Sequence, residues 1–277
     1  MGMRITTNVP ALNAQRSMST NSREMQKSMT QLSTGSRITK AGDDAAGLAI
    51  SENLKAQIRS YGQASRNAND GISMIQTAEQ GMGEVSNIIT RLRELGIQSA
   101  SDTIGEKERG FIQKEVDAMK AEVQRVADST TFGSRKLLDG TGGVYDIHVG
   151  TGANEKTDWI SYDSAVSNVQ IDNLGISELD FSTKEGSRSG LAALDTAQSN
   201  VSGSRATLGA MQNRLTSTID VIGTMNENMS AANSRIRDTD VAVSSSDMAR
   251  NNVLLQGTTA TLAQANQIPQ MALKLIA

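Results

Sequence analysis

Cysteine is absent from the 277 residues, which excludes disulfides, thiolate metal sites and cysteine nucleophiles together. Any stability outside the cell then comes from packing. Histidine occurs once, at His148. A His-Glu-x-x-His zinc helix is therefore excluded, and a Ser-His-Asp triad has a single candidate base. Only two prolines interrupt the chain, and the aromatic residues are three Phe, three Tyr and one Trp, fewer large rings than a compact enzyme core normally uses. No stretch of about eighteen apolar residues occurs, so no membrane insertion is expected, and the N-terminus shows no apolar core of a secretory signal. On these signals alone the chain reads as cytosolic. The 27 basic and 30 acidic residues are intermixed, for a net charge of −3. No basic block is present to track a phosphate backbone, so nucleic acid is not an expected partner.

What remains is helical periodicity. Met18, Ser22, Met25, Met29 and Leu32 recur at spacings of four and three, which predicts a helix with one apolar stripe. Gly35 is placed to end it in the left-handed conformation. Asp43 and Asp44 follow where carboxylates cap the free amides opening a helix, with a metal-binding pair as the alternative reading. A second helix is expected from about Ala45 to about Ala100, with Leu54, Ile58, Tyr61, Ile75, Ala78, Met82, Val85, Ile89 and Leu92 on its seam and Gly71, Gly81 and Gly83 weakening it locally. Ile112, Val116, Met119, Val123 and Val126 mark a third, over Glu106 to Asp128.

Between about Phe132 and Phe181 the period changes. Tyr145, Ile147 and Val149 alternate, Trp159 to Tyr162 form a short run, and glycine-rich turns separate them, which predicts one or two β-hairpins with His148 in a strand. The glycines at 140–143 and 150–152 lack the following Lys and helix of a phosphate loop and read as turns. Beyond Arg188 helical spacing returns through thirteen seam positions from Leu194 to Ile236, apolar except at Ser204 and Thr218. Val241, Met248, Leu255 and Leu262 then recur every seventh residue, and Pro269 precedes a last apolar group ending at Leu275 and Ile276. The two chain ends carry stripes too thin to stand alone, and pairing them with each other is the economical arrangement. The expected fold is mainly α, an elongated antiparallel helical bundle or coiled coil formed by both chain ends, with a small β-hairpin region in the middle.

Longer motifs sit on this frame. The N-terminal half contains Asn8-Val9-Pro10-Ala11-Leu12-Asn13-Ala14-Gln15-Arg16, Leu32-Ser33-Thr34-Gly35-Ser36-Arg37-Ile38, Asp43-Asp44-Ala45-Ala46-Gly47-Leu48-Ala49-Ile50, Arg66-Asn67-Ala68-Asn69-Asp70-Gly71 and Arg91-Leu92-Arg93-Glu94-Leu95. The C-terminal half contains Leu208-Gly209-Ala210-Met211-Gln212-Asn213-Arg214-Leu215, Ser234-Arg235-Ile236-Arg237-Asp238-Thr239-Asp240 and Leu262-Ala263-Gln264-Ala265-Asn266-Gln267-Ile268-Pro269. In content and order these resemble bacterial flagellin along nearly the whole chain. Gly96 and Ala277 depart from the common pattern, where a bulkier small residue and a basic residue are usual.

The resemblance implies a non-enzymatic structural subunit without cofactor, polymerised into the flagellar filament; the alternative is a hook-filament junction adaptor. It implies an inner, core-lining domain of residues 1–43 and 238–277 and an outer shell domain of 44–237 with hairpins at about 132–181, the outer variable domains of larger flagellins being reduced to about Asp172–Ser189. It also implies an extracellular location reached by unfolded export without a cleaved signal peptide, which overturns the cytosolic reading. Implied partners are further copies of the chain, hook-associated junction and cap proteins, the export apparatus and a flagellin chaperone. Apolar subunit contacts are expected at Leu12, Met25, Met29, Leu32, Leu255, Leu262, Leu275 and Ile276, each worth about 1.5 to 3 kcal/mol when fully buried. Arg91, Leu95 and Glu115 match positions implicated in recognition by the innate-immune flagellin receptor.

Overall fold

The computed structural model describes residues 7–276, with side chains over 7–267. The chain divides into two compact units, Met1–Gln57 with Asn228–Ala277, and Ile58–Glu227. The divisions fall inside two long helices, α2 (Ala45–Ser99) and α5 (Lys184–Arg237).

In the first unit, α1 (Val9–Thr34) starts where the Asn8 side chain accepts from the Ala11 amide at 3.1 Å and stops at Gly35, whose φ of 67° is the left-handed conformation expected there. The last helix, α6 (Val241–Ile276), is capped by Asp240, which accepts from the amides of Ala242 and Val243. The helices α1 and α6 pack together. They are antiparallel: Asn8 Nδ2 donates to the Ala265 carbonyl at 2.8 Å at one end, and at the other Thr239 N donates to Gly35 O at 3.0 Å and Arg37 N to Arg237 O at 2.6 Å.

The stripe of α1 differs from the one the sequence predicts. Its covered side holds Ala11, Ala14, Met18, Asn21, Met25, Ser28 and Leu32, while Ser22 is exposed and Met29 stands 56% exposed. Alternate seam positions are small or polar, so the true spacing runs through Ser28 while a count of apolar letters runs through Met29, about 100° further round the helix. Asp43 and Asp44 also divide their expected role. Asp44 caps α2, accepting from Gly47 N at 2.8 Å. Asp43 instead ties the preceding loop through Thr39 and Lys40, which holds its carboxyl below the usual range, the Thr39 hydroxyl being the main cause.

The second unit is built on α2, α3 (Glu106–Ser129) and α5, whose seams share one apolar cluster. Ile75, Met82, Val85 and Leu92 of α2, Val116 and Val123 of α3, and Leu194 and Leu215 of α5 are fully buried in it. Of the thirteen seam positions expected on α5, only Met225 is exposed; the others are buried or half-buried. Strands β1 (Thr131–Phe132) and β2 (Arg135–Lys136) pair across a tight turn. Strands β3 (Val144–His148) and β4 (Trp159–Asp163) form an antiparallel hairpin with Tyr145 opposite Tyr162 and Ile147 opposite Ile160. A single turn, α4 (Glu155–Asp158), joins them. The inward residues alternate as predicted; Tyr145 and Tyr162 stack at 6.0 Å, and the Tyr162 hydroxyl donates to Leu137 O at 3.1 Å.

Two glycines of α2 mark where β3 and the segment just after β2 lie against the helix. A Cβ on Gly71 would stand 2.6 Å from Ile147 Cδ1, and one on Gly81 would stand 2.6 Å from Leu138 Cδ1. At these positions the residue that weakens the helix is the residue that lets the hairpin close on it. The strands end at Asp163, well short of Phe181. The chain from there is irregular yet inserts Leu174, Ile176, Leu179 and Phe181 into the core, so the stretch from Asp172 onward is part of the packed unit.

Candidate functional site

The first unit offers surface where a self-contained fold would offer core. Among the described residues of α1, only Ser28 is buried. Val9, Leu12 and Met29 on α1, and Val241, Val243, Val253 and Leu254 on α6, are all exposed. Leu12 is about 160° round α1 from the centre of its seam, and Val253 about 180° round α6 from the centre of its own.

The expected contact residues separate accordingly. Leu12 and Met29 face outward, at 54% and 56% exposure. Met25, Leu32, Leu255 and Leu262 lie half-buried on the covered sides of the two paired helices. Leu275 and Ile276 fall within α6 but outside the residues whose side chains are described. Val9, Val243 and Val253 are exposed in the same way and were not among the expected contacts. A signal for the last was present: Val253, Leu254 and Leu255 are consecutive, and three adjacent side chains on a helix span about 200°, too wide for one seam.

On the second unit Arg91 and Glu115 come together. The Arg91 guanidinium donates to Glu94 Oε2 and Glu115 Oε1, each at 2.9 Å, and the two carboxylates raise its pKa. Leu95 does not join them at the surface, being 2% exposed beneath. Among the described residues, no group of three or more His, Asp or Glu is disposed to hold a metal ion, and both Asp43 and Asp44 are spent on backbone amides. His148 ends β3 with Nε2 3.0 Å from Gly152 O and its ring beside Trp159, a strand residue tied to its own turn.

The chain matches known proteins along nearly its whole length. Residues 5–142 match the family described as bacterial flagellin N-terminal helical region, and residues 191–276 match the bacterial flagellin C-terminal helical region. A flagellin of Halalkalibacterium halodurans is 43% identical over 274 residues, covering 99% of this chain and all of that one. A flagellin of Bacillus subtilis is 40% identical over 308 aligned positions with the same coverage. Among solved structures, the Bacillus cereus flagellin crystal structure has a TM-score of 0.51 and 25% identity, covering 61% of this chain and 94% of that one. A putative flagellar hook-associated protein from Vibrio parahaemolyticus has a TM-score of 0.60 at 15% identity, covering 71% of this chain and all of that one, a likeness of fold alone. With both helical regions matched in order and full-length relatives at 43% and 40% identity, the chain belongs to the bacterial flagellin family.

Proposed function

We infer that the chain is a structural subunit that polymerises into the extracellular flagellar filament and so serves motility. It belongs to a family of structural proteins, not enzymes. The observation that carries the mechanism is the outward apolar side chains on α1 and α6, which an isolated unit leaves in water. We propose that residues 1–43 and 238–277 line the inner tube of the filament, with 44–237 around them. Leu12 and Met29 would meet neighbouring copies directly, and Met25, Leu32, Leu255 and Leu262 would hold the two helices in register for that contact. Flagellin relatives matched from end to end favour this reading over a junction adaptor. Purified protein is expected to grow into long tubes after addition of salt, seen by electron microscopy; short caps or no polymer would favour the adaptor.

Export in an unfolded state, a flagellin chaperone, and junction and cap proteins at the filament ends belong to the same proposal. So does recognition by the innate-immune flagellin receptor at Arg91 and Glu115, with Leu95 supporting them from beneath. Arg91→Ala is expected to abolish receptor signalling in an assay where the parent signals; unchanged signalling would remove this partner.

A further inference from the structure

The chain has thirteen methionines and no cysteine, so the thioether is its only oxidisable sulfur. Packing divides these side chains. Met74 and Met82 are buried in the middle unit, and Met18 and Met25 are half-covered on α1. Among the described methionines only Met29 and Met225 are exposed, at 56% and 42%. Met225 lies on the seam side of α5, three residues after the buried Ile222. Met29 stands about 100° round α1 from the buried Ser28 and opens onto a groove that it lines with Gln26, Lys27 and Lys40.

A hydroperoxide oxidises a thioether only by direct approach. The sulfur lone pair attacks one peroxide oxygen, the O–O bond breaks as an S–O bond forms, and the proton on the transferred oxygen passes to the departing hydroxide, which leaves as water. Sulfur loses two electrons and the peroxide gains them. The side chain changes from an apolar one that accepts hydrogen bonds weakly to a polar one that accepts them well. Gln26, Lys27 and Lys40 bring N–H donors to the same groove. A sulfoxide at position 29 therefore keeps partners there or in water, and a neighbouring apolar surface that covered it would strip them away at a cost in free energy.

We propose that Met29 is a peroxide-sensitive modification site on the free subunit, whose sulfoxide withholds the subunit from assembly until it is reduced. The reductant is a methionine sulfoxide reductase: its dithiol becomes a disulfide, the thioether is restored and the oxygen leaves as water. The inference rests on the reading of Met29 as a contact between copies, which covers and spares the thioether once the subunit is in the filament.

Hydrogen peroxide added to the full-length monomer tests it, with peptide mass spectrometry following each methionine. Met29 is expected to oxidise about threefold faster than Met225, about tenfold faster than Met82, and about tenfold more slowly in preformed filaments than in the monomer. The oxidised monomer should keep the far-ultraviolet circular dichroism of the parent while its critical concentration for filament growth rises about tenfold. Treatment with the two methionine sulfoxide reductases, one for each epimer, should reverse that rise. Met29→Leu removes the sulfur; the same peroxide dose should leave its critical concentration within about twofold of its own untreated value. Three results would each overturn the site while leaving the filament reading intact: Met29 oxidising no faster than Met225, an oxidised parent that grows like the untreated chain, or a Met29→Leu chain that loses assembly to peroxide as the parent does. Equal oxidation of Met29 in monomer and filament would overturn its place in a contact. Absence of filaments from the untreated parent would overturn the filament reading itself.

Discussion

The two units spend the same helical pattern differently. In Ile58–Glu227, three helical seams and a hairpin converge, and Ile75, Met82, Val85, Val116, Leu194 and Leu215 are removed from water altogether. In the unit formed by the chain ends, the described parts of α1 and α6 bury only Ser28, Ser244 and Ala265, and their large apolar side chains stay half-covered or exposed. Fixing a backbone residue costs about 1 to 2 kcal/mol, and a large apolar side chain returns about 1.5 to 3 kcal/mol only when its burial is complete. The middle of the chain meets that condition within one molecule. The ends do not; on the function proposed above, identical neighbours would supply the surface that lets them meet it.

Removing residues 238–277 should separate the two behaviours most sharply. The remainder is expected to stay helical with a cooperative melt and to form no filaments; filaments from the truncated chain would break the comparison. Next in size is the contrast between Met82→Ala and Leu32→Ala. The first empties a fully buried site and should lower unfolding free energy by about 2 to 5 kcal/mol, measured by urea titration of the monomer. The second should leave that transition in place while raising the critical concentration for polymerisation. Gly71→Val drives a side chain into Ile147 and should cost about 1 to 3 kcal/mol in the same titration, with no separate effect on assembly.

The smallest expected effect is on pH dependence. The Asp139 carboxyl lies buried at the turn after β2, where desolvation would raise its pKa. The Thr141 hydroxyl and amide and the Lys136 ammonium 3.1 Å away outweigh this and hold it below the usual range. A depressed folded value means its stabilising contribution is present above the ordinary carboxylate range and is lost as pH falls through the folded value. Asp139→Asn should therefore flatten the acid limb of the melting profile of the middle unit.

Helix positions were legible because their punctuation is local: Gly35 stops α1, Asp44 opens α2, and the four-three spacing of α3 needs no distant partner. The hairpin of β3 and β4 was legible from its alternation. The phase of the α1 seam was not, because Asn21 and Ser28 occupy inward positions that hydrophobicity assigns to solvent. The role of Gly71 was hidden for another reason. Its neighbour, Ile147, is remote in sequence, and only the closed fold brings the two together. Among the candidate contact residues, the sequence could not separate Leu12 and Met29, which are exposed, from Met25 and Leu255, which lie half-buried on the seam, since all four read as apolar positions on amphipathic helices.

Amide hydrogen exchange, compared between monomer and filament, tests the central claim most directly. The account predicts slow exchange across the buried seams of Ile58–Glu227 in both states, and exchange over 9–34 and 241–267 that is fast in the monomer and strongly slowed in the filament. Equal, strong protection of both terminal helices in the isolated monomer would contradict it.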